Sequence, residues 1–298
     1  MTPSEAVQIL DGHQASVGAL SVRRVLPQRQ RRTIGPWCFA DHIGPADVDE
    51  RHGLDIGPHP HSGLHTVTWL TEGAVLHRDS LGTEQVITPG QVNLMSAGEG
   101  VSHSEEATGS FRGTLQGIQL WLAQPESTRH GPSSFHHVAE PPRVDLGRGL
   151  LTAFIGDYAG QISPARVETP TLGAEVEFAG HLELELRPDF EYALICLKGE
   201  VTVERTPVAP GRLGVLSPQR DSVHLESTHS ARAILIGGAP FSETLLMWWN
   251  FVARTREEIA LMRRAWSEAD GRYGRLSSPL ARIEAPELAW TGRAEPLA

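Results

Sequence analysis

The chain has 298 residues, 40% hydrophobic and 21% charged, a balance that supports one large globular domain or two of moderate size. With 26 basic against 36 acidic side chains the formal net charge is −10, which argues against a general attraction to nucleic-acid phosphates. No apolar run approaches the roughly 20 residues needed to cross a bilayer, and the opening MTPSEAVQILDGH lacks the basic-then-apolar pattern of a secretory signal.

Along the chain, VRRVLPQRQRR (Val22 to Arg32) concentrates five arginines within ten residues. It reads as a solvated hairpin, with a docking patch for a protein partner as the alternative. Cys38 in GPWCFAD and Cys196 in ALICLKG are the only cysteines. Two isolated thiols in apolar settings fit a reducing cytoplasm better than a disulfide framework. GPHPHSGLH then places His59, His61 and His65 within seven residues. Short runs of strand character follow in HTVTWL, AVLHRDS, EQVIT, QVNLM and LQGIQLWL, divided by the turn signals TEG, LGT and TPG. Strands this closely spaced suggest a sandwich or barrel rather than alternating βαβ units.

The polar, Pro-rich interval from Gln124 to Arg143 interrupts the pattern and divides the chain into domains 1–140 and 141–298. Strand rhythm resumes in AEVEFA, HLELELR, YALICLKG, EVTVER, GRLGVLS and RAILIGG. Both halves carry a similar cadence, Glu72-Gly73 to Pro89-Gly90 in one and Lys198-Gly199 to Pro210-Gly211 in the other, which suggests two copies of one small β-barrel. The one convincing helix is late: Thr255 and Glu258 form a capping box ahead of Ile259, Met262 and Trp266, and the helix is expected to pack across the barrels.

Residues i and i+2 of a strand point to the same side. His59 and His61 therefore share a face, and Pro60 between them favours extended backbone. In GVSHSEE, 42 residues beyond His61, His103 and Glu105 repeat that spacing. Two such pairs on strands of one barrel could converge on a point, and three neutral imidazoles with a carboxylate suit one divalent transition metal, Fe, Mn, Co, Ni, Cu or Zn. His77, mid-strand beside Arg78 and Asp79, reads as structural. In the second half Glu191, Tyr192, His224 and Glu226 include no H-x-H, so that barrel also reads as structural.

HPHSGLHTVTWLTEG, HRDSLG and PGQVNLMSAGEGVSHSEE together closely resemble the pirin family of the cupin superfamily. GPWCFADHIGP, LQGIQLWL and NFVARTREEI extend the resemblance over nearly the whole chain. It implies an all-β bicupin, two jelly-roll barrels in tandem, with a metal only in the N-terminal one. The family's usual ligands, commonly around iron, fall on His59, His61, His103 and Glu105. Many members carry an acidic residue where this chain has His65. Four past His61, that ring would face the same side and orient a ligand, or else sit solvated on the barrel rim. Some pirins are quercetinases that open a flavonol ring with O2, which would make Glu105 both ligand and general base, with Trp69 and Trp121 as candidate walls for a small aromatic substrate. Others are regulators that dock on a transcription factor or a metabolic enzyme, the iron acting as a redox sensor. Both need the same four ligands, and a deep cavity above the metal would separate them. Direct DNA binding is not expected, since no helix-turn-helix or zinc-finger pattern occurs.

Overall fold

The strand Leu64–Glu72 is buried along almost its whole length, although its sequence alternates polar and apolar residues. The two rows face different interiors. Val67 and Trp69 enter a core shared between two barrels, while Leu70 enters the core of the first barrel and Thr68 points to a buried carboxylate there. In the computed structural model, which describes residues 6–290, this strand belongs to a seven-stranded sheet. The order is Ser134–Val138, Val92–Ser96, Leu64–Glu72, Gly113–Ala123, Trp37–Val48, Leu20–Leu26 and His13–Val17. A four-stranded sheet closes the first barrel in the order Ile56–His61, Val101–Glu106, Val75–Asp79 and Glu84–Ile87. The second barrel is built on a ten-stranded sheet around its own apolar core of Leu, Val, Phe and Tyr side chains. The fold is therefore mostly β, with two barrels and one helix near the C-terminus. No helix among the described residues is long and apolar enough to cross a membrane.

The barrels meet along a continuous apolar layer. Trp37, Trp69, Ile118 and Leu120 from the first interlock with Phe154, Ile195, Ile234 and Ile236 from the second. Trp69 stacks on Phe154 with ring centroids 4.9 Å apart. The Trp37 indole N–H donates to the carbonyls of Leu172 (3.2 Å) and Gly237 (3.0 Å).

Both ends of the chain cross between the barrels. Val7–Asp11 adds to the second barrel's sheet, Val7 opposite Leu216 and Asp11 opposite Arg212. Conversely, the segment after residue 245 returns to the first barrel: Val252 N donates to Ser62 O (3.0 Å), Ile283 N to Pro58 O (2.9 Å), and Ser102 Oγ to Tyr273 O (2.9 Å). An open sheet edge accepts any strand of matching pattern, so pairing partners two hundred residues apart leave no local compositional mark. The outermost bounds, in residues 1–5 and 291–298, lie outside the described residues.

The helix Arg256–Glu268 begins where the capping pattern places it. The Thr255 hydroxyl accepts from Glu258 N, and Ile259, Met262, Ala265 and Trp266 form its buried face. The reciprocal half of the box is replaced, because the Glu258 carboxylate accepts instead from Arg254 N (2.8 Å) and from Arg129. The buried face packs with Phe251, Ala253 and Tyr273.

Glu175 carries a stability cost. It is 4% exposed, and its Oε1 has no hydrogen-bond partner. Burial pushes its carboxyl up to about 7 from 4.5, against the pull of Arg232 and with repulsion from Glu177. The nearby Trp69 indole lowers it somewhat without a well-formed hydrogen bond. A carboxyl raised on folding stabilises fully below its unfolded value and loses that contribution as pH rises through the folded one. The window is thus pH 4.5 to about 7. Glu175→Gln is expected to gain about 1–2 kcal/mol over wild type at pH 8 and nothing at pH 4. Urea unfolding at the two pH values checks this, and an equal gain at both would contradict it.

Candidate metal centre

Three neighbouring strands of the four-stranded sheet each turn an i, i+2 pair toward the interior of the first barrel. They are His59 and His61, His103 and Glu105, and His77 and Asp79, all buried. Register brings them together: His103 lies opposite His59 on one side and Asp79 on the other, and Glu105 lies opposite His77. The rings of His59 and His103 are 4.3 Å apart between centroids, and those of His61 and His103 5.0 Å. One ring nitrogen from each of His59, His61 and His103 lies within 4.8 Å of the others. Among the described residues this is the one such group of three or more metal-ligating side chains.

The hydrogen bonds decide which nitrogens converge. His59 Nδ1 is 2.9 Å from Gly57 O and His61 Nδ1 is 3.2 Å from Asn250 O. A carbonyl only accepts, so both Nδ1 atoms carry hydrogen and both Nε2 atoms are bare in the neutral rings. Burial, then the neighbouring imidazoles, holds all three rings neutral: His59 is lowered to about 4, and His61 and His103 fall well below the usual histidine range. His61 Nε2 nevertheless stands 3.1 Å from His103 Nε2. Two nitrogens about 2.1 Å from one cation, at roughly 90–110°, are separated by about 3.0–3.4 Å. The spacing and the donor set therefore fit a borderline transition metal and fit poorly with a hard Ca or Mg ion.

Glu105 lines the same cavity, 3% exposed, and receives the Thr68 hydroxyl at 3.4 Å. Burial pushes its carboxyl up to about 7. The cavity measures about 410 Å³ and is lined by the three histidines and Glu105 together with Ile43, Ile56 and Trp249. One wall is aromatic: Phe39 and Trp121 stack with centroids 3.9 Å apart, and Trp121 meets His61 edge-on at 5.1 Å. Arg24 caps Phe39 at 4.6 Å while making two 2.8 Å hydrogen bonds to Asp41.

Most of the chain matches known proteins. The Pirin family model matches residues 19–122, and the Pirin C-terminal cupin domain matches residues 172–272. A Pseudomonas aeruginosa protein provisionally named quercetin 2,3-dioxygenase is 44% identical over 281 residues, covering 93% of this chain and 89% of its own. The chain belongs to the pirin family. Its barrels are therefore the two cupin domains of a pirin. A crystal structure of quercetin 2,3-dioxygenase from Acinetobacter baumannii superimposes with a TM-score of 0.93 at 38% identity, covering 97% of this chain and 98% of that one. A bacterial pirin from Escherichia coli, determined in complex with nickel(II), shares the fold at a TM-score of 0.61 and 16% identity, over 78% of this chain and 99% of its own.

In this pirin several sequence expectations change. His65 does not face the histidine cluster. The chain turns at Ser62 and Gly63 (φ 73°), where a Cβ would lie 2.1 Å from Val252 O, so the face count restarts at Leu64. His65 instead bonds Ser96 Oγ and Glu168 Oε2, both at 2.8 Å. Of the two candidate walls Trp121 lines the cavity, whereas Trp69 lies in the layer between barrels. The arginine-rich stretch is no free hairpin: Val25 and Leu26 are fully buried, Arg24 pairs with Asp41, and Arg31 reaches Glu191 at 3.3 Å. In the second barrel Glu191 also accepts from Gly35 N, the Tyr192 hydroxyl accepts from Arg187 N, and exposed His224 pairs with Glu183 and Glu204 while Glu226 pairs with His181. Cys38 and Cys196 are buried and unbridged. His77, taken as structural from sequence, abuts His103 directly with its Nδ1 3.4 Å from that of His103. The H-R-D spacing at 77–79 is the signal that marks it, since it repeats the period of the two ligand pairs.

Proposed function

We propose that this pirin is a metal-dependent dioxygenase that opens a small, flat, flavonol-like aromatic substrate with O2, its ion held by His59, His61, His103 and Glu105. The observation that carries this reading is the 410 Å³ cavity with an aromatic wall directly above the converging imidazoles. A volume of this order is typical of small-molecule sites, and a purely regulatory ion has no use for such space. The relatives named for quercetin 2,3-dioxygenase activity support the substrate class. Iron is the expected metal, and Mn, Co, Ni, Cu and Zn also suit the donor set. When bound, the ion supplies Lewis acidity toward a substrate hydroxyl and open positions for substrate and oxygen.

The chain's own residues do the rest. The stacked Phe39 and Trp121 orient a flat ring by its face, while Ile43, Ile56 and Trp249 exclude water around it. Asp41 is already paired with Arg24, so Glu105 is the carboxylate placed to accept the substrate's hydroxyl proton. Elemental analysis of the purified protein, followed by oxygen uptake with quercetin after loading each metal, tests the proposal. The expected result is one equivalent of metal and quercetin-dependent uptake with a redox-active ion. Glu105→Gln is expected to lower that uptake by about 10²-fold. One equivalent of metal with no uptake under any loading would overturn the dioxygenase reading.

A further inference from the structure

His59 and His61 have their tautomers set by backbone carbonyls, but His103 has no carbonyl at its Nδ1. We propose that His77 and Asp79 are positioning residues that place the hydrogen of His103 on Nδ1 and leave Nε2 bare for the cation. This rests on reading His103 as a ligand.

The chain of bonds runs one way. Asp79 Oδ1 accepts the amide hydrogens of Leu81 (2.9 Å) and Thr83 (3.0 Å), which fixes the carboxylate plane. Its Oδ2 stands 3.0 Å from His77 Nε2. A carboxylate only accepts, so His77 Nε2 donates and, in the neutral ring, His77 Nδ1 is bare. That bare nitrogen lies 3.4 Å from His103 Nδ1 and accepts its hydrogen, in competition with the bare Nε2 of His61, 3.1 Å from His103 Nε2. The His77 ring is held for this role by stacking on Phe135, centroids 4.5 Å apart at 24°. All three polar side chains are at most 3% exposed, so water does not compete for these positions. A carboxylate that orients a histidine is a common outer partner of metal sites; here it acts at one remove, through a second imidazole. Moving the hydrogen between the nitrogens of His103 changes no net charge, only which nitrogen is available.

Asp79→Asn reverses the direction of the chain. The amide oxygen still accepts from Leu81 and Thr83, but the NH2 group replaces Oδ2 and donates to His77 Nε2. His77 then donates from Nδ1, and His103 must carry its hydrogen on Nε2, where the ion would bind. Long-range 1H–15N spectra of the metal-free, 15N-histidine-labelled protein read this directly. Wild type is expected to show His103 as the Nδ1–H form and Asp79→Asn as the Nε2–H form. Competition titration with Zn2+ is expected to show about 10–100-fold weaker binding in Asp79→Asn. His77→Asn keeps an obligate acceptor, its amide oxygen, at the Nδ1 position, whereas His77→Phe keeps the stack on Phe135 and loses that acceptor. Zn2+ affinity near wild type in His77→Asn, with a loss in His77→Phe, supports positioning; the reverse order means His77 only packs and overturns the proposal. A wild type that binds no Zn2+ refutes the ligand reading, and the nitrogen spectra still decide the relay: an unchanged His103 tautomer in Asp79→Asn overturns it.

Discussion

Replacing His103 with alanine is expected to strip the metal from the first barrel while leaving the chain folded. Four-ligand protein sites bind zinc with an apparent 10–16 kcal/mol in total, so one ligand accounts for about 3–4 kcal/mol, or roughly a 10²–10³-fold loss of affinity. The fold has less at stake. The strand Val101–Glu106 is held by backbone ladders on both sides, and its neighbours keep their packing. Elemental analysis of wild type and variant purified side by side, with their urea midpoints, reads both quantities. Equal metal content would refute the ligand assignment.

The second large effect is expected at the junction of the barrels. Trp37 is fully buried, and its ring packs so closely over Gly173 that a Cβ there would lie 2.9 Å from the indole. Trp37→Ala should cost about 3–5 kcal/mol from lost packing and the cavity left behind. It also leaves the carbonyls of Leu172 and Gly237 without the indole donor. Trp37→Phe keeps most of the volume and removes only the N–H, for about 1–3 kcal/mol. Because Trp37 shares one core with Phe154, Ile195 and Ile234, both barrels should lose stability in a single transition. Tryptophan fluorescence and far-UV circular dichroism during urea unfolding check this; a transition that splits, with one half unmoved by the substitution, would show that the barrels are energetically separate.

What could be read in the sequence follows from what is local. The H-P-H and H-S-E pairs were legible because strand period alone puts each pair on one face. That His103 stands beside both His59 and Asp79 depends on cross-strand register, which hairpin and loop geometry set and no local pattern records. The H-R-D pair at 77–79 carried the same period, yet a single histidine beside an arginine gave no hint of what lay opposite. The face of His65 was lost at a two-residue turn, since counting by twos holds only while the strand is unbroken. Trp69 and Trp121 are both tryptophans on central strands of one sheet, and which side of that sheet encloses a cavity is a property of barrel closure. HTVTWL illustrates the same limit from another direction. Its alternation suggests one wet face and one dry face, whereas both faces are dry because a second barrel covers what would otherwise meet water.

The return of the C-terminal segment to the first barrel separates the frame of the candidate metal site from the part that can be retuned. His103 and Glu105 sit on a strand locked into ladders on both sides, and His59 and His61 on the edge strand paired with it, where most changes would disturb register. Trp249, Asn250 and Ile283, by contrast, reach the same cavity from a segment that joins neither large sheet of the first barrel. Asn250 holds His61 through its backbone carbonyl, a contact indifferent to the side chain that position 250 carries. Substitutions there can reshape the mouth of the cavity while His61 keeps its orientation, so the shape of the cavity and the geometry of the histidine cluster are free to diverge independently in the history of such a protein.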